Sequence, residues 1–129
     1  MDYKVVIDAG HGGVDGGASG NGILEKNLTL QISEEMLKDF ERAGIPVKMT
    51  RMSDETLTPT ERVNRILEAF GNDENVIVIS NHINAGGVDN QYVVNCITIR
   101  AEKIKLLVGK MCINSKIKLE FCVYTFFYN

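Results

Sequence analysis

Tryptophan is absent from this 129-residue chain, and proline and histidine occur only twice each. The three cysteines, Cys96, Cys112 and Cys122, form no C-x-x-C pair and are odd in number. Neither a disulfide framework nor a thiolate zinc site is therefore expected. No apolar run approaches the roughly 18 residues of a membrane span, and Met1-Asp2-Tyr3-Lys4 lacks the basic-then-apolar pattern of a signal peptide. That leaves a cytoplasmic protein, one exported by another route, or a catalytic domain without its leader. A basic surplus is missing too. With 14 Lys+Arg against 17 Asp+Glu, the net charge is −3, so nucleic acid is not the expected partner. What is there, 44% apolar and 24% charged residues, is the composition of an ordinary globular protein with room for one domain over residues 1–129. A single core can form at this length, with little stability to spare.

The composition breaks near residue 90. Residues 1–90 carry 8 Lys+Arg, 15 Asp+Glu and 11 of the 12 glycines, whereas residues 91–129 carry 6 Lys+Arg and 2 Asp+Glu. Six of the nine aromatics also lie in the later stretch. It is too short for an independent domain, so it reads as the atypical or truncated end of the same one.

Val5-Val6-Ile7 predicts a buried strand over 4–8 that runs into a loop rich in glycine from Gly10 to Gly22. Leu28, Ile32, Met36 and Phe40 have helical spacing, ending at Gly44 with Pro46 beyond. Val47-Lys48-Met49 predicts a second strand. Thr58-Pro59-Thr60-Glu61 is a capping box with proline at the first helical position, followed by Val63, Ile66, Leu67 and Phe70 on one face. Val76–Ile79 predicts a central strand. Beyond it, residues 92–99 and 117–127 read as strands, and Ala101–Met111 has helical spacing. The order implies an α/β fold, a mainly parallel sheet flanked by helices. Ligands of such sheets bind beyond the carboxyl ends of the strands, where His11 and His82 both fall.

Three short stretches carry the chemistry: Asp8-Ala9-Gly10-His11-Gly12-Gly13, Glu25 at the exit of the glycine loop, and Ser80-Asn81-His82-Ile83-Asn84-Ala85. Two histidines and a glutamate form one of the standard three-ligand zinc sets, with a fourth position left open. Each residue also has a plainer explanation. A histidine after a strand can be a hydrogen-bonded loop residue, Glu25 can answer a helix dipole, and a glycine loop can cradle an anion. Asp8 is expected to orient a histidine rather than to bind metal. No H-E-x-x-H of the common metallopeptidases is present, nor the Gly-Lys-Ser/Thr ending of a P-loop.

These stretches, together with Glu25-Lys26-Asn27-Leu28, Thr50-Arg51, and Leu57 with Arg62, resemble in order and spacing the zinc-dependent N-acetylmuramoyl-L-alanine amidases. The resemblance covers about residues 3–87. Members of that family are bacterial and phage cell-wall hydrolases that cut between the muramic acid lactyl group and the first stem-peptide alanine. It implies Zn2+ as cofactor, with His11, Glu25 and His82 as its ligands. It also implies peptidoglycan as substrate and action at the bacterial cell wall. Arg51 and Arg62 would be structural or groove-lining, and Asp8 and Asn84 would support the ligands or the substrate. The implied reaction is metal-assisted amide hydrolysis, in which a second carboxylate takes a proton from water and passes it to the leaving amine. In the family that group is a glutamate on a late strand. Here the run after Gly87 departs from the pattern, and only Glu102 and Glu120 are acidic beyond Asp89. Glu120, on a predicted strand, is the candidate. The alternative is a zinc-binding relic without a general base.

Overall fold

The computed structural model describes residues 2–20, 22–85, 92–100 and 123–128, with backbone alone from residue 84 onward. Strand β1 (Lys4–Ala9) is buried along nearly its whole length, as its unbroken apolar run requires. Two short strands, β2 (Ser19–Gly20) and β3 (Ile23–Leu24), pair as a hairpin inside the glycine-rich segment. Helix α1 (Glu25–Arg42) follows directly, then β4 (Val47–Met49), helix α2 (Pro59–Phe70), and β5 (Val76–Ala85). Strands β6 (Tyr92–Arg100) and β7 (Val123–Tyr128) complete the described residues.

The five long strands form one sheet in the order β4-β1-β5-β6-β7. The first three are mutually parallel, and β6 and β7 add antiparallel pairings. The expected parallel sheet is thus present at the site, while the later strands make the whole sheet mixed. From β1 the chain steps sideways to β4 and then back past β1 to β5. The strand order therefore reverses between β1 and β5, which opens a crevice at their carboxyl ends.

The capping box of α2 forms as its sequence predicts: Thr58 Oγ1 accepts from Glu61 N, and Glu61 Oε2 accepts from Thr58 N. Ile66 of this helix packs with Val6, Val76 and Val78, flanked by Val63, Ala69 and Phe70. Each such fully buried aliphatic side chain is worth about 1.5–3 kcal/mol. Alternation along β5 then turns Ile77, Ile79 and Asn81 to the opposite face, where Asn81 Nδ2 donates to Ser33 Oγ of α1 at 2.9 Å. The two helices therefore cover opposite faces of the sheet.

The structure departs from expectation on α1. Its buried residues are Glu25, Thr29 and Ser33, four apart, whereas Leu28, Ile32, Met36 and Phe40 are only half-buried. Small polar side chains let this helix lie close to the strands, and each finds a partner there. Strand β5 also runs beyond Ile79. β1 pairs with it as far as Ala9–Asn81, and β6 pairs with it on to Ala85. His82 accordingly lies within a strand rather than after one. The predicted strand at 92–99 is β6 and the later one overlaps β7. The helix expected over 101–111 lies outside the described residues.

Candidate metal centre

His11 stands two residues beyond β1 with φ +60°, a left-handed conformation that non-glycine residues rarely adopt. Side chains from two other segments hold it there. Arg51, only 1% exposed, donates to the carbonyls of Ala9 (3.1 Å), Gly10 (3.0 Å), Lys26 (2.9 Å) and Ser53 (3.0 Å). Arg62 of α2 donates to the carbonyls of Ala9 (2.8 Å) and His11 (3.0 Å). Three successive carbonyl oxygens are thus captured by two guanidinium groups. Burial lowers the pKa of Arg51, and the charge of Arg62 adds to that effect. Farther along the loop, Lys26 Nζ bridges Gly13 O and Asp54 Oδ2, and Asp54 Oδ1 accepts from Gly13 N.

Glu25, the first residue of α1, is 6% exposed. One carboxylate oxygen accepts from Ile83 N and the other from Ala18 N, both at 2.8 Å. Burial pushes its carboxyl upward, but those two N–H groups and the facing imidazoles outweigh it, and the group sits below the ordinary glutamate range. Glu25 Oε1 lies 3.0 Å from His11 Nε2 and 3.2 Å from His82 Nδ1, and these two nitrogens are 3.2 Å apart. The rings meet edge to face, with centroids 4.9 Å apart. His11, Glu25 and His82 each offer one ligand atom, all within 4.8 Å of one another. Two imidazoles and an ionised carboxylate are the donor types zinc takes, so this trio can hold a metal ion. Both histidines remain partly exposed, at 22% and 36%. Glycines make the approach possible: a Cβ on Gly10 would meet the His82 ring at 2.6 Å, and one on Gly17 would meet the rings and carboxylate of His11 and Glu25 at 2.6–2.8 Å.

One expectation requires correction. Asp8 does not touch a histidine. Its carboxylate accepts from Arg62 (2.6 Å), Thr50 Oγ1 (2.8 Å) and Ser80 Oγ (2.8 Å), and reaches His11 only through the guanidinium of Arg62. Side chains on β1 point across the sheet, which aims Asp8 at α2 rather than at the loop. Arg51 spends its guanidinium on carbonyl oxygens, and the residue also borders a surface groove. The acid that meets the outer nitrogen of His11 is Asp15, whose Oδ2 lies 2.9 Å from Nδ1. The sequence signal for it was an acid four residues past a histidine within a glycine loop. Asn84 lies on β5 opposite Val93, its side chain outside the described residues, as are Glu102 and Glu120. A surface groove of about 490 Å³ runs along Thr50, Arg65 and Glu68, and none of the three metal-binding candidates lines it.

Parallel strands of an α/β sheet with a His₂Glu donor set at their order reversal define a class of folds able to hold a metal ion with one side open. Comparison with known proteins narrows this. The chain belongs to the N-acetylmuramoyl-L-alanine amidase family (Amidase_3), which it matches over residues 5–105. It is 41% identical over 88 residues to the N-acetylmuramoyl-L-alanine amidase CwlM of Bacillus licheniformis, covering 65% of this chain and 32% of that protein. It is 40% identical over 86 residues to the sporulation-specific N-acetylmuramoyl-L-alanine amidase of Bacillus subtilis (strain 168), with the same coverage of 65% and 32%. The solved N-acetylmuramoyl-L-alanine amidase AmiC2 of Nostoc punctiforme superposes with a TM-score of 0.57 at 34% identity, over 70% of this chain and 47% of that one. The chain thus spans about a third of the length of these curated relatives.

Proposed function

We propose that this chain is the zinc-binding part of a peptidoglycan amidase, hydrolysing the amide between N-acetylmuramic acid and L-alanine at the bacterial cell wall. The observation that carries the reading is the convergence of His11 Nε2, Glu25 Oε1 and His82 Nδ1 from three segments onto one point. His11, Glu25 and His82 would hold the ion. Zinc bound there supplies a Lewis acid able to polarise a carbonyl and activate water. The chain itself keeps Glu25 ionised with two N–H groups, aims both imidazoles from fixed backbones, and leaves their outer faces open to a substrate. Asp8 and Arg62 act as support through the His11 carbonyl. Glu120 is the group proposed to carry the proton from water to the leaving amine.

The test is digestion of purified peptidoglycan by the purified chain with mass analysis of the products. Peptides with a new alanine amino terminus are expected, lost on chelation and restored by zinc. Glu120→Gln should abolish their release while the metal stays bound, and unchanged hydrolysis eliminates Glu120. A second reading, a zinc-binding relic, is favoured by the scarcity of acid after Asp89. Stoichiometric zinc without any new termini in the digested wall identifies it.

A further inference from the structure

Asp15 is 62% exposed and adds nothing to the core, yet both its carboxylate oxygens are engaged. Oδ2 lies 2.9 Å from His11 Nδ1, and Oδ1 accepts from Gly17 N at 3.1 Å. The residue is itself held by reciprocal backbone bonds, Gly12 N to Asp15 O (2.9 Å) and Asp15 N to Gly12 O (3.1 Å). Gly17 in turn packs against the His11 ring and the Glu25 carboxylate. Both ring nitrogens face a carboxylate, but Glu25 Oε1, 3.0 Å from Nε2, already accepts from Ile83 N, whereas Asp15 Oδ2 has no other donor among the described contacts, which favours the ring proton on Nδ1. The Nε2 lone pair is then free toward Glu25 and His82.

We infer that Asp15 is a positioning residue of the metal centre: its carboxylate fixes His11 as the Nδ1–H tautomer and ties that ring to the glycine loop through Gly17. The inference rests on the zinc reading above and names the group that prepares one of its ligands. His82 presents Nδ1 to the same point, so the two imidazoles would bind through different nitrogens, and only His11 has this carboxylate behind it among the described contacts. Asparagine cannot replace Asp15. Two N–H donors converge on it, and asparagine offers one oxygen and one NH₂, so one donor always meets a donor. If the NH₂ turns to His11, the ring proton moves to Nε2 and blocks the metal-facing nitrogen.

The test measures zinc affinity of the purified chain by competition with a chromophoric chelator. Asp15→Asn should weaken binding about 10–100-fold, the usual range for loss of a ligand's hydrogen-bonding partner. In a His11→Ala background the same change should alter affinity less than about twofold, since a group acting through His11 has nothing left to act on. Unchanged affinity in the first background, or equal losses in both, overturns the inference. Long-range 1H–15N NMR of the metal-free wild type at a pH of about 8 reads the tautomer directly. Nδ1–H on His11 is expected, and Nε2–H overturns the inference even if the variant fails to fold. Wild type that binds no zinc but shows Nδ1–H on His11 defeats the metal reading and leaves the role of Asp15 in setting the ring intact.

Discussion

His11 and His82 reach the same point by opposite means. His82 sits in a ten-residue strand with its backbone paired to Asn95 of β6, and the next residue, Ile83, donates its N–H to Glu25. Its position is an outcome of sheet formation. His11 lies in a left-handed turn outside any strand, held by Arg51 and Arg62 from far along the chain and by Asp15 within its own loop. A ladder-held imidazole should tolerate changes in surrounding side chains, whereas a loop-held one should lose its geometry when a single distant donor is removed.

Substitutions can break or sharpen that contrast. Arg51→Met should cost most, about 3 kcal/mol or more in urea denaturation, because the carbonyls of Gly10, Lys26 and Ser53 lose their charged donor and only Ala9 keeps one, from Arg62. Zinc should go with it. Arg62→Lys keeps the charge but loses the planar fork that spans Asp8 and the carbonyls of Ala9 and His11. A loss of about 2 kcal/mol is expected, with zinc affinity about tenfold lower by chelator competition. Gly17→Ala combines a φ of +65° with contact against His11 and Glu25. Its cost should be about 1–2 kcal/mol, and its effect on metal larger than on thermal unfolding. On the other side of the comparison, Ile83→Val keeps the N–H that serves Glu25 and removes one buried methyl group. It should lower stability by about 1 kcal/mol and leave zinc affinity within about twofold. If Ile83→Val released the metal, or Arg62→Lys retained it fully, the distinction between the two ligands would be lost.

Much of the fold can be read in the chain. The β-branched runs of β1 and β5, the stop at Gly44 and the Thr58–Glu61 box each have a local cause, so short windows suffice. The β2–β3 hairpin was hidden because two-residue strands carry no periodicity. The buried stripe of Glu25, Thr29 and Ser33 was hidden for another reason: hydrophobic periodicity scores apolar residues, and here small polar ones lie closest to the sheet, satisfied by Gly10 O and Asn81. The two histidines stood out because the chain has no others, whereas Glu25 was singled out from 17 acidic residues by the resemblance to the amidases.

Local spacing determined most of the strands and helices around the site, and the resemblance of short motifs singled out His11, Glu25 and His82 as a donor set. Which acid stands behind His11, and which carbonyls Arg51 serves, depended on tertiary structure. Asp8 and Asp15 are both near His11 in the chain, and only the alternation of β1 and the fold of the glycine loop send one to Arg62 and the other to the imidazole. Hydrogen bonds that span 41 to 54 residues, such as those of Arg51 and Arg62, exist only once the sheet has brought their ends together.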